Sequence, residues 1–122
     1  MLIFSAGMTR AVNSKRAIAE CLDVALGDGP ERPAGLLILH ASLGHDLGDL
    51  AAEALPLAPG STVVGASCCG VVGTEGVSES MKALGIMSVR GAPGEWALAS
   101  LEDVRGTNAH DGGLTVGQIG KL

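Results

Sequence analysis

The sequence predicts an α/β domain: a β-α-β-α-β core of parallel strands that continues into an antiparallel hairpin, and therefore a mixed sheet. Short aliphatic runs alternate with amphipathic helical segments over the first two thirds of the chain, and the connections between them are short. Two later apolar runs, 84–89 and 96–101, flank a loop with glycine and proline, as in a hairpin. With 122 residues, the chain has the size of a single domain.

Three short apolar runs predict the parallel strands. The first covers residues 1–6 and ends at Gly7. The second, residues 36–39, is continuously apolar, which is typical of a strand covered on both faces. The third, residues 62–64, is β-branched and is bounded by glycine on both sides. Each strand is expected to run in the same direction, because right-handed crossovers connect them.

Two helices are predicted between these strands. Asn13 or Ser14 is a suitable N-cap for the first helix, and Gly27 supplies the residue that ends it. Pro56 and Pro59-Gly60 are expected to close the second helix. Apolar residues recur at helical spacing in both segments: Ile18, Cys21, Leu22, Ala25 and Leu26, then Leu47, Leu50, Ala51, Ala54 and Leu55.

Composition excludes several classes of protein. Hydrophobic residues make up 47% of the chain and the formal net charge is −5, with the acids scattered. This argues against a nucleic-acid partner or an anionic membrane surface. No segment is long enough to span a bilayer, and we expect a soluble cytoplasmic protein. Two of the three cysteines are adjacent, which favours free thiols, and Cys21 is expected in the core.

Polar residues cluster in the loops that follow the three predicted strands, at 7–14, 40–46 and 65–80. Ligands of parallel sheets bind beyond the carboxyl ends of the strands, so these loops are expected to form one pocket. Its floor is predicted at 65–70, where small side chains leave backbone N–H groups accessible. The candidate ligand-binding residues are Arg10, His40, Ser42, His45, Gly65, Ser67, Cys68, Cys69, Gly70, Thr74 and Glu75.

The residues of this region bear on three kinds of chemistry. The stretch 65–70 approaches a nucleophile elbow, but Cys69 stands where the last glycine belongs, which disfavours a serine hydrolase. Cys68 or Cys69 is a candidate nucleophile or redox thiol, although small buried cysteines are commoner than reactive ones. The spacing of His40, His45 and the two cysteines matches no zinc pattern. No metal site is predicted, and the residues do not identify a cofactor.

The chain resembles the amino-terminal FIST domain, over about residues 1–101. The resemblance lies in Phe4-Ser-Ala-Gly-Met-Thr9, in 37–42 with the following Gly-His, and above all in Val64-Gly-Ala-Ser-Cys-Cys-Gly-Val-Val-Gly-Thr-Glu-Gly76. It implies a sensory domain of signal transduction that binds small ligands, amino acids among them, and some members take part in haem-based sensing. Expected partners are therefore a small molecule, a signalling protein or second FIST domain, and a second copy in a homo-oligomer.

The resemblance leads to a first hypothesis, a non-enzymatic ligand-binding sensory module formed by residues 1–122 as a single, incomplete FIST-like domain. The alternative is a cysteine-based enzyme or redox protein that uses Cys68 or Cys69, or a haem-binding sensor. A third hypothesis is an interaction remnant without a ligand site. A reactive thiolate separates the enzyme from the binding module, because only the enzyme requires one.

Overall fold

The computed structural model describes residues 1–27, 35–73, 76–92 and 94–98. Over these residues it shows two helices and six strands, and the α/β class with a mixed sheet is confirmed. The elements are β1 (Ile3–Thr9), α1 (Ser14–Leu26), β2 (Leu36–Ser42), α2 (Leu47–Leu57), β3 (Thr62–Cys68), β4 (Val71–Gly73), β5 (Gly76–Ser78) and β6 (Leu84–Arg90). The chain divides into two units, one of residues 2–90 and one of Met1 with residues 91–122.

The main sheet has the strand order β1-β6-β2-β3. β2 pairs with β3 in parallel, and β6 is antiparallel to both β1 and β2. The three predicted strands therefore run in one direction, as expected, but β6 lies between the first two. The predicted hairpin partner of β6 is not found: residues 96–98 are not in a strand, and 99–101 lie outside the described residues.

Helix α1 forms as its sequence predicts. The Asn13 side chain accepts a hydrogen bond from the backbone N–H of Arg16 at 3.1 Å, and Gly27 follows the last turn at φ 84°. Ile18, Cys21 and other apolar residues of α1 are fully buried. Burial of this stripe against the sheet gives the helix most of its stability.

Helix α2 begins directly after the predicted loop 40–46. Asp46 is the N-cap, and its carboxylate accepts from the N–H of Asp49 at 2.9 Å. The helix ends at Leu57, between Pro56 and the Pro59-Gly60 pair that were expected to close it. Its apolar face is narrower than predicted, because Leu55 is 46% exposed.

The hydrophobic core lies between the two helices and one face of the sheet. Leu37 and Leu39 of β2 belong to this core together with Leu84 and Ile86 of β6. The alternate residues Leu36 and Ile38 are only half-buried on the opposite face, so the run 36–39 is not fully covered on both faces as predicted. Neither described helix is long and apolar enough to cross a membrane.

In the unit that contains Met1, the carboxylate of Glu95 is the centre of local interactions. The amino group of Met1 forms an ion pair with Glu95 at 2.6 Å, and the N–H of Ala92 donates to the same carboxylate at 2.8 Å. The hydrogen bond from the amino terminus, followed by that from Ala92, lowers the pKa of Glu95.

Candidate functional site

The main sheet has an open face, which we define as the face opposite α1 and α2. Side chains alternate across a strand, so the residues next to the core residues in sequence point to this face. On β1 and β6 they include Met8 and Met87, and on β2 and β3 they include His40 and Cys68. Cys68 is partly buried, whereas His40 is exposed.

A short hairpin of β4 and β5 lies against part of this open face. The sequence predicted a loop over 65–80, but residues 65–68 extend β3, and Val71–Gly73 pairs with Gly76–Ser78. Val71 is only 6% exposed. A side-chain Cβ at Gly85 would lie 2.7 Å from the Cγ1 of Val71, so the absence of a side chain there lets the hairpin approach the sheet. Gly73 also allows a close approach, because a Cβ there would lie 2.8 Å from the Sδ of Met8.

The hairpin and the open face enclose a cleft of about 410 Å³. This volume falls in the range of small-molecule sites. The described residues that line it are apolar or small, apart from one histidine and one cysteine, and none of them is charged. They are Ala6, Gly7, Met8, His40, Cys68, Gly70, Val71, Val72, Gly73, Gly85, Ile86 and Met87.

The strand register fixes the arrangement of the functional side chains. Gly85 pairs with Met8 on one side and with His40 on the other, so these three residues form one row across β1, β6 and β2. Neighbouring strands are about 4.8 Å apart, which places the Cα atoms of Met8 and His40 roughly 10 Å apart. Met87 and Cys68 stand two residues along their strands from this row.

Three of the predicted site residues meet in this cleft: His40, Cys68 and Gly70. His40 and Cys68 belong to strands rather than to the loops in which the sequence placed them. Neither side chain makes a hydrogen bond or ion pair with another described residue, so both are available to a ligand.

Other predicted site residues lie away from the cleft. Gly65 and Ser67 pair with Leu39 and Ala41, whose side chains face the helices, so they are not its floor. Arg10 is exposed in the loop after β1 and does not line the cleft. Cys69 is exposed outside it, whereas strict alternation of side chains along β3 would have turned one of the two adjacent cysteines toward the core.

Thr74 and Glu75, the remaining predicted residues of the third loop, lie outside the described residues. The described residues that line the cleft include no carboxylate and no guanidinium. The recognition of an amino acid by these loops stays a prediction.

Ser42 and His45 are buried beside the end of β2 rather than in the cleft. The Nε2 of His45 donates to the carbonyl of Lys82 at 2.8 Å, and the N–H of Gly44 donates to the carbonyl of Met81 at 2.8 Å. The Lys82 ammonium donates back to the Gly44 carbonyl. His45 therefore helps join the β2–α2 loop to the turn before β6.

Sequence reasoning missed the two methionines of the cleft. Met8 lies in the predicted loop 7–14 and Met87 within the predicted strand 84–89, and neither was identified as a ligand contact. Only the register shows that Met87 lies on the open face while its neighbours Ile86 and Ser88 are buried. The available signal was weak: one unbranched methionine among the aliphatic residues of β6.

None of the three cysteines forms a disulfide, as predicted, and Cys21 is fully buried. Among the described residues, no group of three or more histidine, cysteine, aspartate or glutamate side chains is placed to hold a metal ion. Comparisons of this chain with protein-family models, with curated proteins and with solved structures gave no match.

Proposed function

We propose that this chain is a small-ligand-binding sensory module, and that its ligand occupies the cleft between the β4–β5 hairpin and the open face of the sheet. The observation that carries the proposal is the cleft itself. It combines about 410 Å³ of space with an apolar lining and two polar side chains that lack partners among the described residues. This is the usual composition of a small-molecule site.

The construction of the cleft supports a binding role in a second way. The roof is a hairpin whose strands have three residues each, whereas the floor is a sheet with seven-residue strands. A ligand in the cleft contacts both parts, so its binding stabilises the hairpin against the sheet. Such a ligand-dependent change is what a signalling module requires. A sensory role also agrees with the FIST resemblance, which implies amino acids as one ligand class.

The cysteine-based enzyme is less well supported. A nucleophilic thiol needs an adjacent base or cation to activate it. Among the described residues, no side chain is hydrogen-bonded to or paired with Cys68 or Cys69. His40 and Cys68 share the cleft, but they occupy diagonal positions on β2 and β3 rather than directly opposed ones.

Isothermal calorimetry tests the proposal with a panel of the amino acids, uncharged aromatic compounds and haem. Ala6→Phe places a ring in the cleft from β1, because Ala6 is an exposed lining residue. Ala66→Phe is the matched control: it adds the same ring at an exposed position of the other edge strand, on the same face but outside the cleft.

A panel compound should bind the unaltered protein and the Ala66→Phe variant equally, and bind Ala6→Phe at least tenfold more weakly. Circular dichroism establishes that both variants keep the fold. The proposal fails when no compound binds the unaltered protein. It also fails when a compound binds Ala6→Phe as tightly as it binds the control.

A further inference from the structure

We infer that the ligand of this cleft is an uncharged, planar aromatic molecule with one hydrogen-bonding group. The inference rests on the proposed function and narrows it from small ligands in general to one chemical class. Three features of the lining carry it: the absence of charge among the described residues, the thioethers of Met8 and Met87, and the single imidazole of His40.

The described lining residues include no acid, lysine or arginine, which favours a neutral ligand over a zwitterion. Transfer of a carboxylate or ammonium group from water into an apolar cleft is costly unless an opposite charge meets it. Arg10 and the acids of the described chain are not lining residues. A neutral ligand incurs no such penalty, and its apolar surface is stabilised by burial.

The polarisability of the lining favours an aromatic ring. Gly73 and Gly85 let the hairpin lie close to the sheet, because a Cβ at either position would lie less than 3.0 Å from Met8 or Val71. Met8 and Met87 stand diagonally to each other on adjacent strands, β1 and β6. Thioether sulfur makes favourable contacts with aromatic rings, worth about 0.3–1.5 kcal/mol each, and methionine adapts to ligands of differing outline.

His40 supplies the polar contact. Its side chain is exposed on the open face and has no hydrogen-bonding partner among the described residues. A neutral imidazole carries one donor and one acceptor, so it pairs with a hydroxyl, a ring N–H or a carbonyl equally well. The sulfhydryl of Cys68 is only a weak donor and adds little selectivity.

Three compounds with the same two fused six-membered rings separate the effects of aromaticity and of charge on binding: naphthol, its saturated decahydro form, and naphthoate. Naphthol should bind at least tenfold more tightly than decahydronaphthol, which has the same hydroxyl and no π system. It should also bind at least tenfold more tightly than naphthoate, which has the same rings and a charge. The inference is overturned when naphthoate or a zwitterionic amino acid binds as tightly as naphthol, or when the saturated form does.

Conservative variants test whether the sulfur atoms of Met8 and Met87 contact the aromatic ring of the ligand. Met8→Leu and Met87→Leu keep the volume and the apolar character, so both proteins should fold. Each should weaken naphthol about two- to tenfold and leave decahydronaphthol unchanged. Met81→Leu is the control, since Met81 is 64% exposed outside the cleft. Equal naphthol binding by the unaltered protein and both cleft variants overturns the role of the thioethers.

The outcomes distinguish this inference from the proposed function. One outcome is that an amino acid binds, that Ala6→Phe abolishes this binding and that naphthol does not bind. The cleft is then a ligand site, and the aromatic class is wrong. When naphthol binds equally to Ala6→Phe and to Ala66→Phe, both the inference and the proposed site are wrong.

Discussion

Glu20 connects strand β1 to helix α1 through its two carboxylate oxygens. One oxygen accepts from the hydroxyl of Thr9 at 2.5 Å, and the other accepts from the guanidinium of Arg16 at 2.7 Å. The hydrogen bond from Thr9, and then that from Arg16, lowers the pKa of Glu20 from its ordinary value of 4.5. The charged form is therefore the one that the fold stabilises.

The sign of the pH dependence follows from this lowered pKa. The contribution of Glu20 is present above its ordinary pKa of 4.5 and is lost as the pH falls through the lower folded value. Glu20→Gln should therefore lower the urea midpoint near neutral pH and have a smaller effect at about pH 3. Glu53→Gln on α2 is the control, since Glu53 makes no ion pair with a described residue. A Glu20→Gln effect that is the same at both pH values contradicts this account.

At the scale of elements, the hairpin depends on the contact between Val71 and Gly85. A Cβ at position 85 would lie 2.7 Å from Cγ1 of Val71, closer than atoms in proteins pack. Valine is stiff about its first side-chain torsion and cannot turn away freely. Gly85 is therefore required as long as Val71 is buried beneath the hairpin.

A double-mutant cycle tests this contact by urea unfolding. Gly85→Ala should destabilise the protein by about 1–3 kcal/mol through overpacking. Val71→Ala should also destabilise it, because buried methyl groups are lost. The double variant should be less destabilised than the sum of the two, by at least about 0.5 kcal/mol, since the smaller residue 71 makes room for the new Cβ. Additive effects would show that the two residues do not touch.

Local patterns in the sequence predicted the elements better than their arrangement. Helix α1 was predicted correctly, including its capping residues, because the spacing of its apolar residues and its N-cap are local features of the segment. The insertion of β6 between β1 and β2 was not predicted, since pairing between distant segments leaves no local signal. The strands of the hairpin have three residues each, too few for alternation to be recognised.

The residues of the candidate site were predicted only in part, because the pairing of the strands determines which of them meet. His40, Cys68 and Gly70 were identified from their positions after apolar runs, and the structure places them in one cleft. Met8 and Met87 were not identified, because an apolar residue becomes a site residue only when the face it occupies is known to lack a covering helix. Which face is covered depends on the whole sheet.

At the scale of the whole molecule, the described residues cover the two faces of the main sheet unevenly, with both described helices on one face. Apolar side chains remain exposed on the open face and on the hairpin above it: Phe4 is 61% exposed, Val72 77% and Val77 63%. Exposed apolar groups that lie close together mark surfaces at which proteins associate. A second copy of this chain is the partner we expect at high concentration.

Light scattering tests this expectation with one variant on each side of the protein. The unaltered protein should show a mass that rises with concentration, and Phe4→Ser should reduce this self-association. Val24→Ser is the matched control, because Val24 is 55% exposed on α1, on the helix side of the sheet. A monomer at all concentrations contradicts the expectation, and so does an equal reduction by both variants.

The central claim is that the cleft under the β4–β5 hairpin is where a small ligand binds. Carbon-13 methyl spectra of methionine test it most directly, because two of the four methionines line the cleft and two do not. On addition of naphthol, or of any panel compound that binds by calorimetry, the signals of Met8 and Met87 should shift while those of Met1 and Met81 stay in place. Binding that shifts Met1 or Met81 and leaves Met8 and Met87 unchanged would contradict the claim.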